Sequence, residues 1–281
     1  MKQYIPERIK KRVSVNSESE QVRKILKGLS LNTVCESAVC PNIYECFSKR
    51  HLTFMILGNR CTRNCKFCGV SPIIKSTPPD EKEPENIAKA VNLLRMRYVV
   101  ITSPTRDDLP DGGAGQFAAT TEDIRRLNPS TKIELLIPDF DGNKERLEKV
   151  FKAKPDVISH NIETVRSLYP FIRPSSDYKT SLRVLKTIKE NGFITKSGFM
   201  LGLGETREEV IELMHILKNI GCDYLVIGQY LKPSKDAMPV KEFISEELFR
   251  EYEGIGRSIG FKNIFAGTFY RSSYLAEQLV Q

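Results

Sequence analysis

Three cysteines fall within eight positions of one stretch, RCTRNCKFCG, as Cys61-x3-Cys65-x2-Cys68, and three more precede them in TVCESAVCPNIYECF as Cys35-x4-Cys40-x5-Cys46. The seventh cysteine, Cys222 inside NIGCDYLVIG, stands alone and reads as a small buried hydrophobe at the entrance to a strand. Thiols grouped this closely suit a metal better than a disulfide framework, which a reducing compartment does not sustain. A structural zinc wants four ligands, usually recruited as paired CxxC sets, and an iron-sulfur cubane also takes four thiolates. Three thiolates from one short loop would fix three irons and leave a fourth open, which is a place to bind a substrate or cofactor. For the earlier triplet a zinc reading needs His51, the nearest histidine, and both metals stay open there.

The elements that must position these thiols follow from residue 50 onward, where β-rich runs alternate with amphipathic ones. LTFMIL (52–57), RYVVIT (97–102), KIELLI (132–137), DVISHNI (156–162), FITKSGFML (193–201) and DYLVIG (223–228) read as strands. Between them lie helical runs: ENIAKAVNLLRM with Pro84 in its first turn, a short helix TTEDIRRL, NKERLEKVF, YKTSLRVLKTIKENG with Leu182, Leu185 and Ile188 on one face, TREEVIELMHILKNIG, and SEELFREYEGIGRSIG. Thr206 and Glu209 have the spacing of a capping box. Six βα units imply a parallel sheet with helices outside it, either barrel-like or doubly wound, with the ligand site at the carboxyl ends of the strands. The Cys61 loop, the Gly112 loop and the Gly202 turn all follow strands and converge on that rim.

Of 281 residues, 43 are Lys or Arg and 35 are Asp or Glu, a balance of +8 with a local cluster at Arg8, Lys10, Lys11 and Arg12. Such a balance favours an acidic or phosphate-bearing partner, or is simply a solvated face. No run approaches the roughly 18 to 20 apolar residues of a membrane helix, and MKQYIPERIKKR lacks the apolar core of a secretory signal, so a soluble, cytoplasmic protein is expected.

CTRNCKFCG after a strand, with Phe67 between the last two cysteines, resembles the CxxxCxxC loop of the radical S-adenosylmethionine enzymes. The resemblance implies a [4Fe-4S] cluster on Cys61, Cys65 and Cys68 whose open iron is chelated by S-adenosylmethionine. An electron from that cluster then yields a 5'-deoxyadenosyl radical able to abstract hydrogen from an unactivated carbon. The earlier CxxxxCxxxxxC set is similar to the auxiliary-cluster motif of the lipoyl synthase family, whose fourth ligand is a serine in a C-terminal RSSY. This chain has RSSY at Arg271 to Tyr274, which puts that ligand at Ser273. RSSY has a plain alternative as the serine cap of a terminal helix, SYLAEQL. RDDLPDGGAGQFA (106–118), SHNIETV (159–165), RP (173–174) with YKTSLRVL, KSGFMLGLGET (196–206) and GQYLKPS (228–234) extend the likeness from about residue 20 to residue 277.

What the resemblance implies is an α/β fold, a partial TIM-type (βα)6 barrel over 51–265. An N-terminal extension (1–50) carries the auxiliary cysteines, and a C-terminal extension (266–281) carries RSSY. It implies a sulfurtransferase with two [4Fe-4S] clusters that inserts sulfur at C6 and C8 of a protein-bound octanoyl-lysine, with Cys35, Cys40, Cys46 and Ser273 holding the sulfur donor. Implied partners are octanoylated lipoyl carrier domains of 2-oxoacid dehydrogenase E2 subunits or the glycine-cleavage H protein, a ferredoxin or flavodoxin, and an iron-sulfur cluster carrier; neither nucleic acid nor membrane is implied. Gly112, Gly113 and Gly115 are candidates for a close backbone approach to the methionyl end of the cofactor. Asn161 and Glu163, past a strand end, are candidates for its ribose or amino group.

GLG at 202–204 lacks the third glycine of a dinucleotide fingerprint and more simply lies beside the adenosyl moiety. His160 borders a strand end, whereas His215 sits mid-helix and reads as structural. Phe47, Gly69, Pro104, Thr105 and Leu275 depart from the family's usual residues, but none removes a cluster ligand. A methylthiotransferase would need a separate amino-terminal domain and an RNA-binding module that do not appear. A zinc-stabilised nucleic-acid binder explains neither the remote serine nor the βα succession.

Overall fold

The computed structural model describes residues 6–11 and 16–280, so Arg12 of the basic cluster lies outside the described residues, as does the side chain of Arg8. Three short helices come first: α1 (Ser17–Gly28), α2 (Val34–Ser37) and α3 (Ile43–Ser48). Strand β1 (Thr53–Met55) follows, then the tiny strands β2 (Arg60–Cys61) and β3 (Ser71–Pro72). The repeat continues through α4 (Glu83–Leu93), β4 (Tyr98–Thr102), α5 (Ala114–Leu127), β5 (Lys132–Leu136), α6 (Lys144–Lys152) and β6 (Val157–Ser159). After α7 (Tyr169–Ile172) come α8 (Tyr178–Glu190), β7 (Ile194–Leu201), α9 (Arg207–Asn219), β8 (Tyr224–Gln229), α10 (Glu246–Ile259), β9 (Asn263–Gly267) and α11 (Ala276–Leu279).

The main sheet has seven strands in the order β1-β4-β5-β6-β7-β8-β9, and every neighbouring pair is parallel. That order decides between the two architectures left open by the pattern of elements. A doubly wound sheet reverses its strand order at a switch point, whereas a monotonic order with right-handed crossovers puts every helix on one face and curls the other inward. The sheet is therefore a partial barrel, open between its edges β1 and β9. Six βα units are present as expected. The seventh strand, β9, was not anticipated because FKNIFAG is short and lies next to the terminal extension; the boundary drawn at 265/266 falls inside it.

Local chemistry explains most element ends. Asp177 caps α8 by accepting the Thr180 amide, and Thr206 and Glu209 form the anticipated capping box on α9. The buried stripe of α8 is Ser181, Val184, Leu185 and Ile188, with Leu182 at its edge instead of within it, since i, i+3, i+4 and i+7 share a face. Helix α5 begins at Ala114, six residues before the short helix read at TTEDIRRL, because Gly113 at φ 88 ends the loop and AGQFAA continues the turn. Cys222 is buried just before β8, as expected.

Candidate functional site

The Cys61 loop leaves the carboxyl end of β1 and is closed by parallel pairing of β2 with β3, Arg60 opposite Ser71 and Cys61 opposite Pro72. Its backbone is held from several sides. Thr62 N donates to Thr105 O (3.0 Å), Lys66 N to Ile172 O (2.9 Å), and Met238 N to Lys66 O (2.9 Å). One guanidinium does more than any of these. Arg63, between the first two cysteines and 4% exposed, bonds Asp107 (2.9 Å), Asp139 (2.5 Å) and Asp141 (2.9 Å), and also Ser176 (3.0 Å). It thereby ties the loop to the segments that follow β4, β5 and β6. Removing one member of a buried pair costs roughly 3 to 5 kcal/mol, and that range belongs to Asp139, since Asp107 and Asp141 are more exposed.

The three thiols of the loop lie close enough to act on one another. Burial pushes Cys68 up to about 12, its Val70 amide contact opposes this, and Cys65 and Cys61 add to the rise. Cys65 is likewise raised by burial, against the neighbouring Arg173. Amides of Arg63 and Val70 approach the sulfurs of Cys61 and Cys68 at 3.4 Å each. Buried, mutually repelling sulfurs are poor free thiolates and good ligands for a cationic centre.

The second triplet behaves the same way. Cys35 in α2 is pushed up to about 12 by burial and then by Cys40; Cys46 in α3 is pushed up to about 12 by burial, Cys35 and Cys40. Thr33 pairs antiparallel with Phe54, so this triplet flanks the β1 edge of the open barrel. It also abuts the first loop. A Cβ on Gly69 would stand 2.9 Å from Ser37 O and 3.3 Å from Ala38 Cα, so glycine is what lets the loop meet α2 there.

The C-terminal segment, leaving the opposite edge β9, crosses the opening to meet this triplet. Asn42 Nδ2 donates to Phe269 O (2.7 Å), and Tyr274 OH donates to Glu45 Oε1 (3.0 Å). Lys11 completes the joint: it pairs with Glu45 (2.5 Å), bonds Asn42 (2.7 Å) and lies over the rings of Phe269 and Tyr274. This member of the basic cluster is thus an internal tie and not a solvated charge. Enclosure holds Arg271 below the usual arginine range, against the opposing influence of the nearby Cys40. Ser273 is half-buried and its hydroxyl has no hydrogen-bond partner among the described residues, whereas Ser272 is committed to Asn161 (2.6 Å). Neither serine caps α11, contrary to the plain reading of RSSY; the N-cap is Leu275 at φ 54, without a side-chain bond.

The other anticipated residues fall as follows. Gly112 and Gly113 have φ of 63 and 88, and a Cβ on Gly113 would lie 2.2 Å from Leu57 Cδ1. The amides of Gly113 and Gly115 are taken by the Asp111 carboxylate at 2.9 Å each. Glu205 similarly takes the amides of Gly202 (2.5 Å) and Leu203 (3.0 Å) in the GLG turn. Glu163 sits at φ 70 beside β7, its carboxyl raised by burial and lowered by Arg173 and Asn161. His160 is sealed in the core, bonded to Ile137 O and Ser181 Oγ at 2.9 Å each, and burial lowers it to about 4. His215 is exposed on α9. His51 lines a cavity of about 200 Å³ with Lys49, Arg50, Arg95, Arg97 and Glu277, whose lining includes no cysteine.

Two residues to which the sequence assigned no individual role stand out. Arg173, 7% exposed, lies beside Cys65, acts electrostatically on Glu163, bonds Tyr169 OH at 2.7 Å and leaves its buried Nε without a partner among the described residues. Lys196 is fully buried on β7 and pairs with an equally buried Glu134 on β5. A lysine in the middle of the strand run FITKSGFML was the available signal.

A family model described as the Radical SAM superfamily matches residues 55–217. The chain is 53% identical over 277 residues to the lipoyl synthase of Caldicellulosiruptor saccharolyticus, covering 97% of this chain and 96% of that one. It is 46% identical over 280 residues to the lipoyl synthase of Chlorobium limicola, covering 99% and 96%. Among solved structures, methylornithine synthase (PylB) aligns over 88% of this chain and 74% of its own with a TM-score of 0.59 at 15% identity. HydG, a maturase of the [FeFe]-hydrogenase, aligns over 95% and 67% with a TM-score of 0.62 at 14% identity; at such identities the likeness is one of fold.

Proposed function

Because the chain belongs to the lipoyl synthase family within the radical S-adenosylmethionine superfamily, we propose that its two thiol triplets divide one reaction between them. The reaction is the family's: sulfur is inserted at C6 and C8 of a protein-bound octanoyl-lysine, with two [4Fe-4S] clusters and S-adenosylmethionine as cofactors. In this reading Cys61, Cys65 and Cys68 hold the cluster that engages S-adenosylmethionine, and Cys35, Cys40, Cys46 and Ser273 hold the auxiliary cluster. When bound, the first centre supplies hydrogen abstraction and the second supplies sulfur.

The chain's own residues do the rest. Arg63 fixes the loop of the first triplet, Arg173 offers positive charge beside Cys65, and Glu163 with Asn161 lies next to both as an acceptor for the cofactor's amino or ribose groups. Gly112, Gly113 and Gly115 shape the turn after β4 on the same rim. The observation that carries the reading is the joint between segment 269–274 and the helix bearing Cys46. It seats the segment that carries Ser273 against the helix that carries Cys46, more than two hundred residues away in sequence, and the Ser273 hydroxyl has no hydrogen-bond partner among the described residues. A hard oxygen is a weaker partner for iron-sulfur chemistry than a soft thiolate, which suits a ligand that must let go.

The test is an anaerobic incubation with an octanoyl-lysine peptide, S-adenosylmethionine and dithionite, scored by product mass. A dithiolane product is expected; cofactor cleavage with no sulfur-bearing product from fully loaded protein would overturn the reading. Carrier domains of E2 subunits or the H protein are the proposed substrates, with ferredoxin or flavodoxin as electron donor and an iron-sulfur carrier for reloading. Lys66, Lys232 and Lys235 are exposed around the first loop, and a positive rim steers acidic domains. Raising salt is therefore expected to weaken carrier binding in a titration, and salt-insensitive binding would count against electrostatic docking. No helix among the described residues is long and apolar enough to cross a membrane, in keeping with the proposed cytoplasmic setting.

A further inference from the structure

The inner face of the barrel carries a fully buried ion pair. Lys196 Nζ lies 2.5 Å from Glu134 Oε1, and both side chains are 0% exposed. The carboxylate is fully used, accepting Tyr98 OH (2.6 Å) and Ser159 Oγ (2.9 Å) as well. Replacing a buried ion pair by apolar residues is often neutral or stabilising, so its presence needs a reason other than stability. The reason lies in the other contact of the ammonium: Lys196 Nζ donates to the carbonyl of Ser272 at 2.8 Å, one peptide before Ser273.

The sheet is carved to receive that segment. A Cβ on Gly228 of β8 would lie 2.2 Å from Tyr270 O, and one on Gly198 of β7 would lie 2.8 Å from Ser272 Oγ and 3.1 Å from Val226 O. Two of these contacts are backbone and cannot swing aside. Ser272 Oγ also donates to Asn161 Oδ1 (2.6 Å), so the residue before Ser273 is tethered at both its carbonyl and its side chain while Ser273 Oγ has no partner among the described residues. A fixed neighbour and an uncommitted hydroxyl are what a ligand of defined position requires.

We propose that Lys196, braced by Glu134, is a positioning residue that sets the register of the C-terminal segment and so presents Ser273 Oγ to Cys35, Cys40 and Cys46. The proposal rests on the assignment of Ser273 as auxiliary ligand. Lys196→Met alone would strand a buried carboxylate, so the test uses Lys196→Met/Glu134→Gln, in which both charges leave together. Lys196→Gln/Glu134→Gln also removes both charges but keeps a shorter donor at position 196.

Full-length protein is loaded anaerobically and read by iron and sulfide content, by the electron paramagnetic resonance of the reduced centres with and without S-adenosylmethionine, by cofactor cleavage and by melting temperature. In Lys196→Met/Glu134→Gln the signal that ignores S-adenosylmethionine should be lost or altered, while the responsive signal and cleavage persist. Sulfur-bearing product should fall about a hundredfold, the scale on which a misplacement of about 1 Å acts. Lys196→Gln/Glu134→Gln should restore part of the loss.

An unchanged auxiliary signal in Lys196→Met/Glu134→Gln overturns the proposal. So does equal loss of both signals with a lowered melting temperature, which marks a merely structural role. Ser273→Ala separates the levels. If it damages the auxiliary signal while the double variant does not, only the lysine's role falls; if it too is silent, the ligand assignment beneath it falls.

Discussion

Alanine at position 65 is expected to reduce cleavage of S-adenosylmethionine to background while leaving a second, unresponsive cluster in place. Cys65 is the middle thiol of a loop whose other two sulfurs, Cys61 and Cys68, it feels directly, and it lies beside both Arg173 and Glu163. Removing it leaves two thiolates where three irons must be fixed. The loop itself should survive, because Arg63 and the backbone bonds of Thr62 and Lys66 hold it without help from the sulfur. Iron should therefore fall from about eight to about four per chain, the content of one cubane. The fall in 5'-deoxyadenosine and methionine release should exceed about a hundredfold, the upper range for loss of an outer contact to a metal centre. Cleavage retained in the Cys65→Ala protein would mean that the first triplet is not the cofactor's site.

How readily each part could be read beforehand depended on how local its cause was. Six strand-helix units were legible because each buries a continuous apolar run next to an amphipathic one, as at Val99, Val100 and Ile101 or at Leu225, Val226 and Ile227. The capping box at Thr206 and Glu209 was legible for the same reason, being settled within four residues. Closure was not, since the order of strands is a fact about pairing between distant segments; the seventh strand at Asn263–Gly267 earns its place only by lying against β8. Helix α5 was read short because its first turn, AGQFAA, follows glycines that look like loop until Asp111 is seen to take the Gly113 and Gly115 amides.

The site divides along the same line. Spacing marked both cysteine triplets, but nothing in RSSY reveals that Ser272 is tethered and Ser273 is not. That difference is made by Asn161 and Lys196, which lie 111 and 76 residues away. Arg63 drew no reading from the sequence, because its three aspartates come from loops that only the barrel assembles. Lys11 looked like part of a basic tail and instead joins Glu45 to the rings of the C-terminal segment. Charges that work at a distance in sequence are indistinguishable from solvated ones until their partners are in view.

Ser273→Ala and Cys40→Ala should separate the two halves of the chemistry in the opposite sense to Cys65→Ala. Cofactor cleavage should continue, uncoupled from product, because neither residue belongs to the first loop, while dithiolane formation should stop. Ser273→Cys makes the sharper case. A thiolate binds iron in such clusters more tightly than an alkoxide does, so this variant should keep about eight irons, keep cleavage, and yet slow sulfur delivery. In that variant the cluster is present and only its willingness to come apart has changed. Its backbone tethers at Ser272 are untouched, so the substitution alters the donor atom with little change in its placement. The comparison is read by product mass against cleavage products in single-turnover reactions. Ample dithiolane from Cys40→Ala, or unslowed transfer from a fully loaded Ser273→Cys protein, would show that sulfur leaves by a route that does not depend on release of this ligand.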